Sequence, residues 1–331
     1  MLQSPSAPKQ PVTISTRVDK VGARPAFWRS FRATLAVLIA AITLLPAVWM
    51  AMTAFKSQPD AVSAPPKVFF RPTLEGFVGL LTARRQLTPS EIEEYRQRTD
   101  LNWVERIVAR RGQVIIGQSE FLKYLVNSLI ISVTSTFLSI VLGVLAAYAF
   151  SRFKIRGEAD LLFFILSTRM LPPVVVTIPI FLMYRALGLF DTHFGLILLY
   201  TAFNLSFAVW LLKGFIDEIP KEYEEAALVD GYTRLQAFRK IVLPQAATGI
   251  AATTVFSFIF AWNEYAFALM LTSNVARTAP PSLPSRICTG VVEWSTIAAG
   301  SLAFLIPAVI LTFALRKHLL RGVTFGAIRK G

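Results

Sequence analysis

Six apolar runs dominate the chain: Ala33 to Phe55, Tyr124 to Phe150, Leu161 to Tyr184, Phe194 to Leu212, Ala246 to Leu271 and Ile297 to Leu315. Each approximates the ~20 apolar residues that an α-helix needs to cross a bilayer. The pattern therefore predicts an all-α integral membrane protein with six transmembrane helices. Lys20, Arg24, Arg29 and Arg32 precede the first run, which places the N-terminus inside. Arg152, Lys154 and Arg156, then Lys213, Lys221, Arg234, Arg239 and Lys240, fall in the next inner loops, and Arg316, Lys317, Arg321, Arg329 and Lys330 in the tail. The outer connection from Ala186 to Thr192 has no Lys or Arg, and that from Thr272 to Thr296 has only Arg277 and Arg286. Both termini are expected inside.

The polar intervals divide the rest. Residues 1–27 lack helical or strand periodicity and read as a flexible cytoplasmic tail. Residues 28–55 form an uncleaved first span, too long for a signal-peptide core. Residues 56–120 are an outer-side, periplasmic insert in which Thr88-Pro89-Ser90-Glu91 has capping-box form. Short helices are expected over Ile92 to Arg98 and Leu101 to Arg111. Residues 121–316 make a five-helix core with an inner loop at 214–245, and 317–331 a cytoplasmic tail.

Composition agrees with the runs: of 331 residues 54% are hydrophobic and 16% charged, and the mean hydropathy is +0.54. The net charge of +14 does not signal nucleic acid, because the cations flank apolar segments instead of forming one aromatic-interleaved stripe. Cys288 is the single cysteine and His193 and His318 the only histidines. An intrachain disulfide is thereby excluded and a Cys/His metal site is not expected.

The longest polar run between two spans is Pro220-Lys221-Glu222-Tyr223-Glu224-Glu225-Ala226-Ala227-Leu228-Val229-Asp230-Gly231. Pro220 suits a first helical position, and Glu222, Glu224 and Glu225 complement the positive end of the helix dipole. Gly231 supplies a left-handed stop. A second short helix fits Thr233 to Lys240, and Leu243-Pro244 opens the next span. Glu225-Ala226-Ala227, Gly231 and Ile241-x-Leu243-Pro244 together resemble the EAA signature of the membrane-spanning permease subunits of bacterial ABC importers. Tyr124 to Leu129, Ala261-Trp262-Asn263-Glu264-Tyr265 and Arg321 to Ala327 resemble segments of the carbohydrate branch, in particular its smaller maltose-type permease. Arg169-Met170-Leu171-Pro172-Pro173 with Ile178-Pro179 is similar to polyol and glycerol-type systems.

The resemblance implies that the first loop helix is the coupling helix to a separate ATPase, with Glu222, Glu225, Ala226, Ala227, Gly231, Leu243 and Pro244 carrying the coupling. It implies a second permease, two ATP-binding subunits and an extracytoplasmic solute-binding protein as partners in the bacterial inner membrane. ATP and Mg would be used by the ATPase subunits, with no cofactor on this chain. No phosphate loop, H-E-x-x-H or G-x-S-x-G occurs, so covalent chemistry is not expected.

Candidate path residues lie inside the spans. Arg169 falls near the middle of the third, where a charge costs at least ~2.5 kcal/mol and must face protein or water. It either lines the path or serves as an ion pair or carbonyl clamp. Pro172, Pro173 and Pro179 break that helix. Asn204 interrupts the fourth span, and Trp262, Asn263 and Glu264 gather aromatic and polar groups suited to a sugar or polyol in the fifth. Interhelical hydrogen bonding is the alternative use of these groups. The expected function is the permease of an ATP-driven importer for a sugar or polyol, glycerol included, by alternating access. Another solute, or a secondary transporter with Glu264 as its buried carboxylate, are the rivals.

Overall fold

A computed structural model of the chain describes residues 26–98, 100–170, 172–284 and 292–328. Most of the expected N-terminal tail, Leu171, Arg286, Cys288, Arg329 and Lys330 lie outside the described residues.

Helix α1 (Ala26–Ala54) opens the chain. Its first part belongs to one compact unit, Met1–Trp49, and everything from Met50 to a second. In the first unit residues 30–49 are exposed throughout, and Leu35, Val37, Leu38, Ile39, Ile42, Leu44, Leu45 and Val48 offer apolar surface to lipid or another protein.

In the second unit the insert comes first: α2 (Gln58–Ala61), α3 (Glu75–Leu81), β1 (Thr82–Gln86), α4 (Pro89–Gln97), α5 (Trp103–Ala109) and β2 (Gln113–Gln118). Glu91 accepts from the Thr88 backbone N–H at 2.8 Å, so the expected capping box starts α4. A second box at Asn102 and Glu105 starts α5. The antiparallel β1–β2 pair, bulged between Ala83 and Arg84, corrects the wholly helical expectation. Glycine 112, at φ +63°, turns the chain out of α5 and into β2. The β-branched Val114, Ile115 and Ile116 favour the extended strand.

The core follows: α6 (Phe121–Arg152), α7 (Glu158–Ser167), α8 (Pro173–Ala186), α9 (His193–Asp217), α10 (Glu222–Val229), α11 (Arg234–Ala237), a π-helical turn at Phe238–Val242, α12 (Leu243–Gln245), α13 (Ala247–Trp262), α14 (Ala266–Leu271), α15 (Ala279–Ser282) and α16 (Trp294–Ile328). Among the described residues four helices are long and apolar enough to cross a membrane, in α1, α6, α9 and α16. The segment Arg234–Gln245 with α13, bent by 72°, makes a fifth if taken as one span. The third expected run is not one helix: α7 stops after ten residues, and Pro172 and Pro173, lacking N–H groups, start α8 afresh. The fifth run is likewise divided at Asn263 to Tyr265. Helix α16 continues through Ile328, into the segment expected as a tail.

Small and hydroxylic residues bring α6 and α9 together. A Cβ at Gly143 would lie 2.8 Å from the Ala208 Cβ, and the Ser139 hydroxyl donates across to the Thr201 carbonyl at 3.2 Å. Such pairings let helices approach without the hydrophobic driving force that water supplies. One buried cluster, with Val144, Leu212, Ile216, Phe238 and Val242, packs the end of the core that carries α10. Another, with Ile131, Tyr184, Leu196, Tyr200 and Phe267, packs the middle and the other end. A third, with Ala54, Leu80, Phe121, Ala298 and Ala299, fastens the insert to α16.

Candidate functional site: a cavity at two helix breaks and an anchored polar loop

The two broken helices meet at a cavity of about 250 Å³ lined by Arg169, Pro173, Tyr200, Phe203, Asn204, Phe260, Ala261, Glu264 and Phe267. Arg169 occupies the turn between α7 and α8. Its Nε donates to the Phe203 carbonyl at 3.0 Å and Nη2 to Asn204 Oδ1 at 2.8 Å. The guanidinium lies 4.5 Å from the Phe260 ring centroid and 5.4 Å from that of Phe207. Asn204 is fixed in turn by its Nδ2 on the Ser257 carbonyl, 3.3 Å away, which joins α9 to α13. Arginine 169 is thus both a carbonyl clamp and a cavity wall; among the described residues it has no carboxylate partner.

Glu264 stands at the other break. Its carboxylate accepts from the backbone N–H groups of Phe267 at 2.8 Å and Ala268 at 3.0 Å, capping the start of α14. It also accepts from the Tyr200 hydroxyl at 2.7 Å. The two charges facing the cavity are therefore held by separate partners and do not collapse onto each other. Irregular backbone at membrane depth is tolerable where it lines such a cavity.

The sequence grouped Trp262 and Asn263 with these residues, and the structure separates them. Trp262 is 1% exposed, stacks between Phe258 and Phe304 and donates Nε1–H to the Phe304 carbonyl at 3.0 Å. Its ring binds α13 to α16. Asn263 returns its amide to the Ile259 carbonyl at 2.9 Å. Neither lines the cavity. Tyr200 escaped the sequence reading, although a phenol in an apolar span needs a partner and Glu264 needs a donor. His193, one of the two histidines, meets Asn127 Oδ1 at 2.9 Å.

At the far end of the core, α10 ends in a Schellman motif. Tyr232 N–H donates to the Ala227 carbonyl and Gly231 N–H to that of Leu228, with Gly231 at φ +84°. Glu222, Glu225, Ala226 and Val229 face outward, while Glu224 and Ala227 are buried. Of the two alanines, only Ala226 is open to a partner; Ala227 packs within the chain. Glu224 receives the Arg152 Nε–H and the Tyr148 hydroxyl at 2.9 Å. Arg152 Nη2 donates to the Ile219 carbonyl at 2.9 Å, and its Nη1 to Ser151 Oγ at 2.8 Å. Ser151 in turn donates to Asp217 at 2.5 Å. Lys213 bridges Asp217 and Glu158 at 2.8 and 3.3 Å. One polar network thus ties α10 to the ends of α6 and α9 and the start of α7. Leu243 is half-buried beside the core and Pro244 exposed. With no N–H on Pro244, the helix widens into the π-helical turn, in which Leu243 N–H reaches the Phe238 carbonyl.

Residues 139–325 match the family described as binding-protein-dependent transport system inner membrane component. The chain belongs to this family. The permease is 31% identical to the inner membrane ABC transporter permease protein YcjP of Escherichia coli over 290 residues, 87% of this chain and 92% of that one. It is 39% identical to the trehalose transport system permease protein SugB of Mycobacterium tuberculosis over 212 residues, 63% of this chain and 77% of that one. Its fold is similar to a chain of a bacterial ABC transporter involved in import of the acidic polysaccharide alginate, with TM-score 0.62 and 21% identity over 89% of this chain and 97% of that one. The permease is a multi-pass inner-membrane transport subunit of an ABC importer.

Proposed function

We propose that the permease conducts a sugar or polyol, glycerol included, through the cavity between the two helix breaks. The observation that carries this reading is the lining itself. Arg169 offers donors, Glu264 and Asn204 offer acceptors, and Phe203, Phe260 and Phe267 offer apolar ring surface for C–H faces. The trehalose permease relative supports the same solute class.

In this reading the described helices and broken segments form six spans with both termini inside. The chain pairs with a second permease, two ATPase subunits and an extracytoplasmic solute-binding protein. It holds no cofactor and no ATPase site; ATP and Mg belong to its partners. The exposed face of α10, with Glu222, Glu225 and Ala226, contacts the ATPase. Closure of the ATPases moves α10, and the Glu224–Arg152–Ser151–Asp217 network, extended by Lys213 to Glu158, passes that motion to α6, α9 and α7 as one body, changing access to the cavity.

The test is to identify by mass spectrometry the solute carried by the associated binding protein and to measure its uptake with Arg169→Leu. A hydroxyl-rich solute and at least a tenfold loss of uptake are expected. An amino acid or peptide as the solute overturns the reading.

A further inference from the structure

A second, larger cleft of about 500 Å³ lies outside the membrane cavity, between the insert and the start of α6. One wall is the strand pair, where Gln113 and Gln118 stand at the two ends of β2. Arg84 forms the floor, paired with Glu293 at 2.6 Å with side chains only 6% and 13% exposed. Its Nη1 also donates to Gln113 Oε1 at 3.0 Å. That bond occupies the Gln113 carbonyl and leaves its amide NH₂ for a ligand, while the Gln118 amide has no partner among the described residues. The opposite wall is Glu120, Tyr124 and Arg277. Tyr124 donates to Glu120, and the Arg277 guanidinium lies 5.6 Å from the Tyr124 ring centroid.

The charged lining balances: Arg84 and Arg277 against Glu120 and Glu293. A neutral ligand enters such a site without leaving a charge unpaired. The groups on offer are amide donors, a carboxylate acceptor and an aromatic ring, which together suit hydroxyls and C–H faces. The volume lies within the ~300 to 1,000 Å³ of small-molecule sites. The strand pair falls outside residues 139–325, so this wall is not part of the family core.

We propose that this cleft is a second binding site for one neutral sugar or polyol, which holds the solute outside the span before it enters the cavity at Arg169. The proposal rests on the sugar or polyol reading of the permease. Its test uses the whole complex in proteoliposomes, with Cys288→Ser to remove the native thiol and Ala83→Cys, at a position that lines the cleft without supplying a ligand group, to report on it. The probe is the solute released from the associated binding protein and identified by mass spectrometry. Saturating free solute is expected to slow maleimide labelling at position 83 at least fivefold, and to leave labelling of a Phe69→Cys control unchanged. In the otherwise unmodified complex, Gln113→Ala with Gln118→Ala is expected to raise the KM of uptake about tenfold.

Unchanged labelling with a hydroxyl-rich solute overturns this site and leaves the transport reading standing. Protection by empty binding protein, with no added effect of free solute, overturns it in favour of a docking surface. A released solute without hydroxyls overturns both readings.

Discussion

Glu224→Gln tests whether α10 is rigidly joined to the core. The substitution keeps the shape of the side chain and removes its charge, so Arg152 remains at 5% side-chain exposure without its carboxylate. Removing one member of a buried ion pair costs about 3 to 5 kcal/mol. At about 1.4 kcal/mol per factor of ten, the lower figure reduces the weight of the anchored arrangement of α10 roughly a hundredfold. Tyr148 retains an acceptor in the glutamine, so the loss is assigned to the charge. The assay is ATP-driven uptake by the reconstituted complex, with membrane abundance measured in parallel. Uptake is expected to fall at least tenfold at equal abundance. Arg152→Met with Glu224→Leu is expected to recover much of the loss, since apolar replacement of both members of a buried pair is often close to neutral. Full uptake by Glu224→Gln, or a double variant as impaired as the single one, refutes the rigid link.

Gly231→Pro removes the N–H that closes the Schellman motif and forbids φ +84°, and is expected to abolish uptake while insertion persists, as checked by membrane fractionation. Glu225→Lys, on the outward face of α10, is expected to abolish uptake without lowering thermal stability. Trp262→Leu is expected to lower stability by about 3 kcal/mol through loss of the Phe258 and Phe304 stacks, with the KM of the remaining permease unchanged. Asp191 clasps the segment after α14: its carboxylate accepts from the backbone N–H groups of Ser273, Asn274, Val275 and Ala276. Burial raises its pKa, but the N–H groups of Val275, Ala276 and Ser273 and the Ser273 hydroxyl outweigh it and leave the group at about 2. A folded pKa below the unfolded value gives a contribution that is complete above about pH 4 and lost as pH falls toward 2. Hydrogen exchange of residues 273–276 is therefore expected to show constant protection from pH 8 to 5, and Asp191→Ala to lose it at every pH.

The membrane-spanning character was legible because long apolar runs have few other uses, and the start of α4 because Thr88 and Glu91 stand at the capping-box spacing. The strand pair was not: Thr82-Ala83-Arg84-Arg85-Gln86 shows no apolar alternation, and its partner lies beyond two intervening helices. In the loop at 214–245 the residue pattern read Glu222, Glu224 and Glu225 together as charges at a helix start, and only the family resemblance set Glu222 and Glu225 apart. Their roles differ because Glu224 shares a face with Ala227, three residues on, and that face turns inward. Arg169, Asn204 and Glu264 were visible as polar groups in apolar surroundings, and their convergence depends on two breaks whose geometry a linear pattern does not encode. Trp262 was misplaced because it adjoins Asn263 and Glu264 in sequence but points from the last turn of α13 toward Phe304.

In the proposed function this chain moves solute by taking up the motion of a separate ATPase through α10. The most direct measurement is solute uptake by proteoliposomes holding the complex and its binding protein, with ATP and ion gradients supplied independently. The proposed coupling predicts uptake with ATP and no gradient, abolished by Gly231→Pro. Uptake driven by an ion gradient without ATP would contradict it and move attention to Glu264.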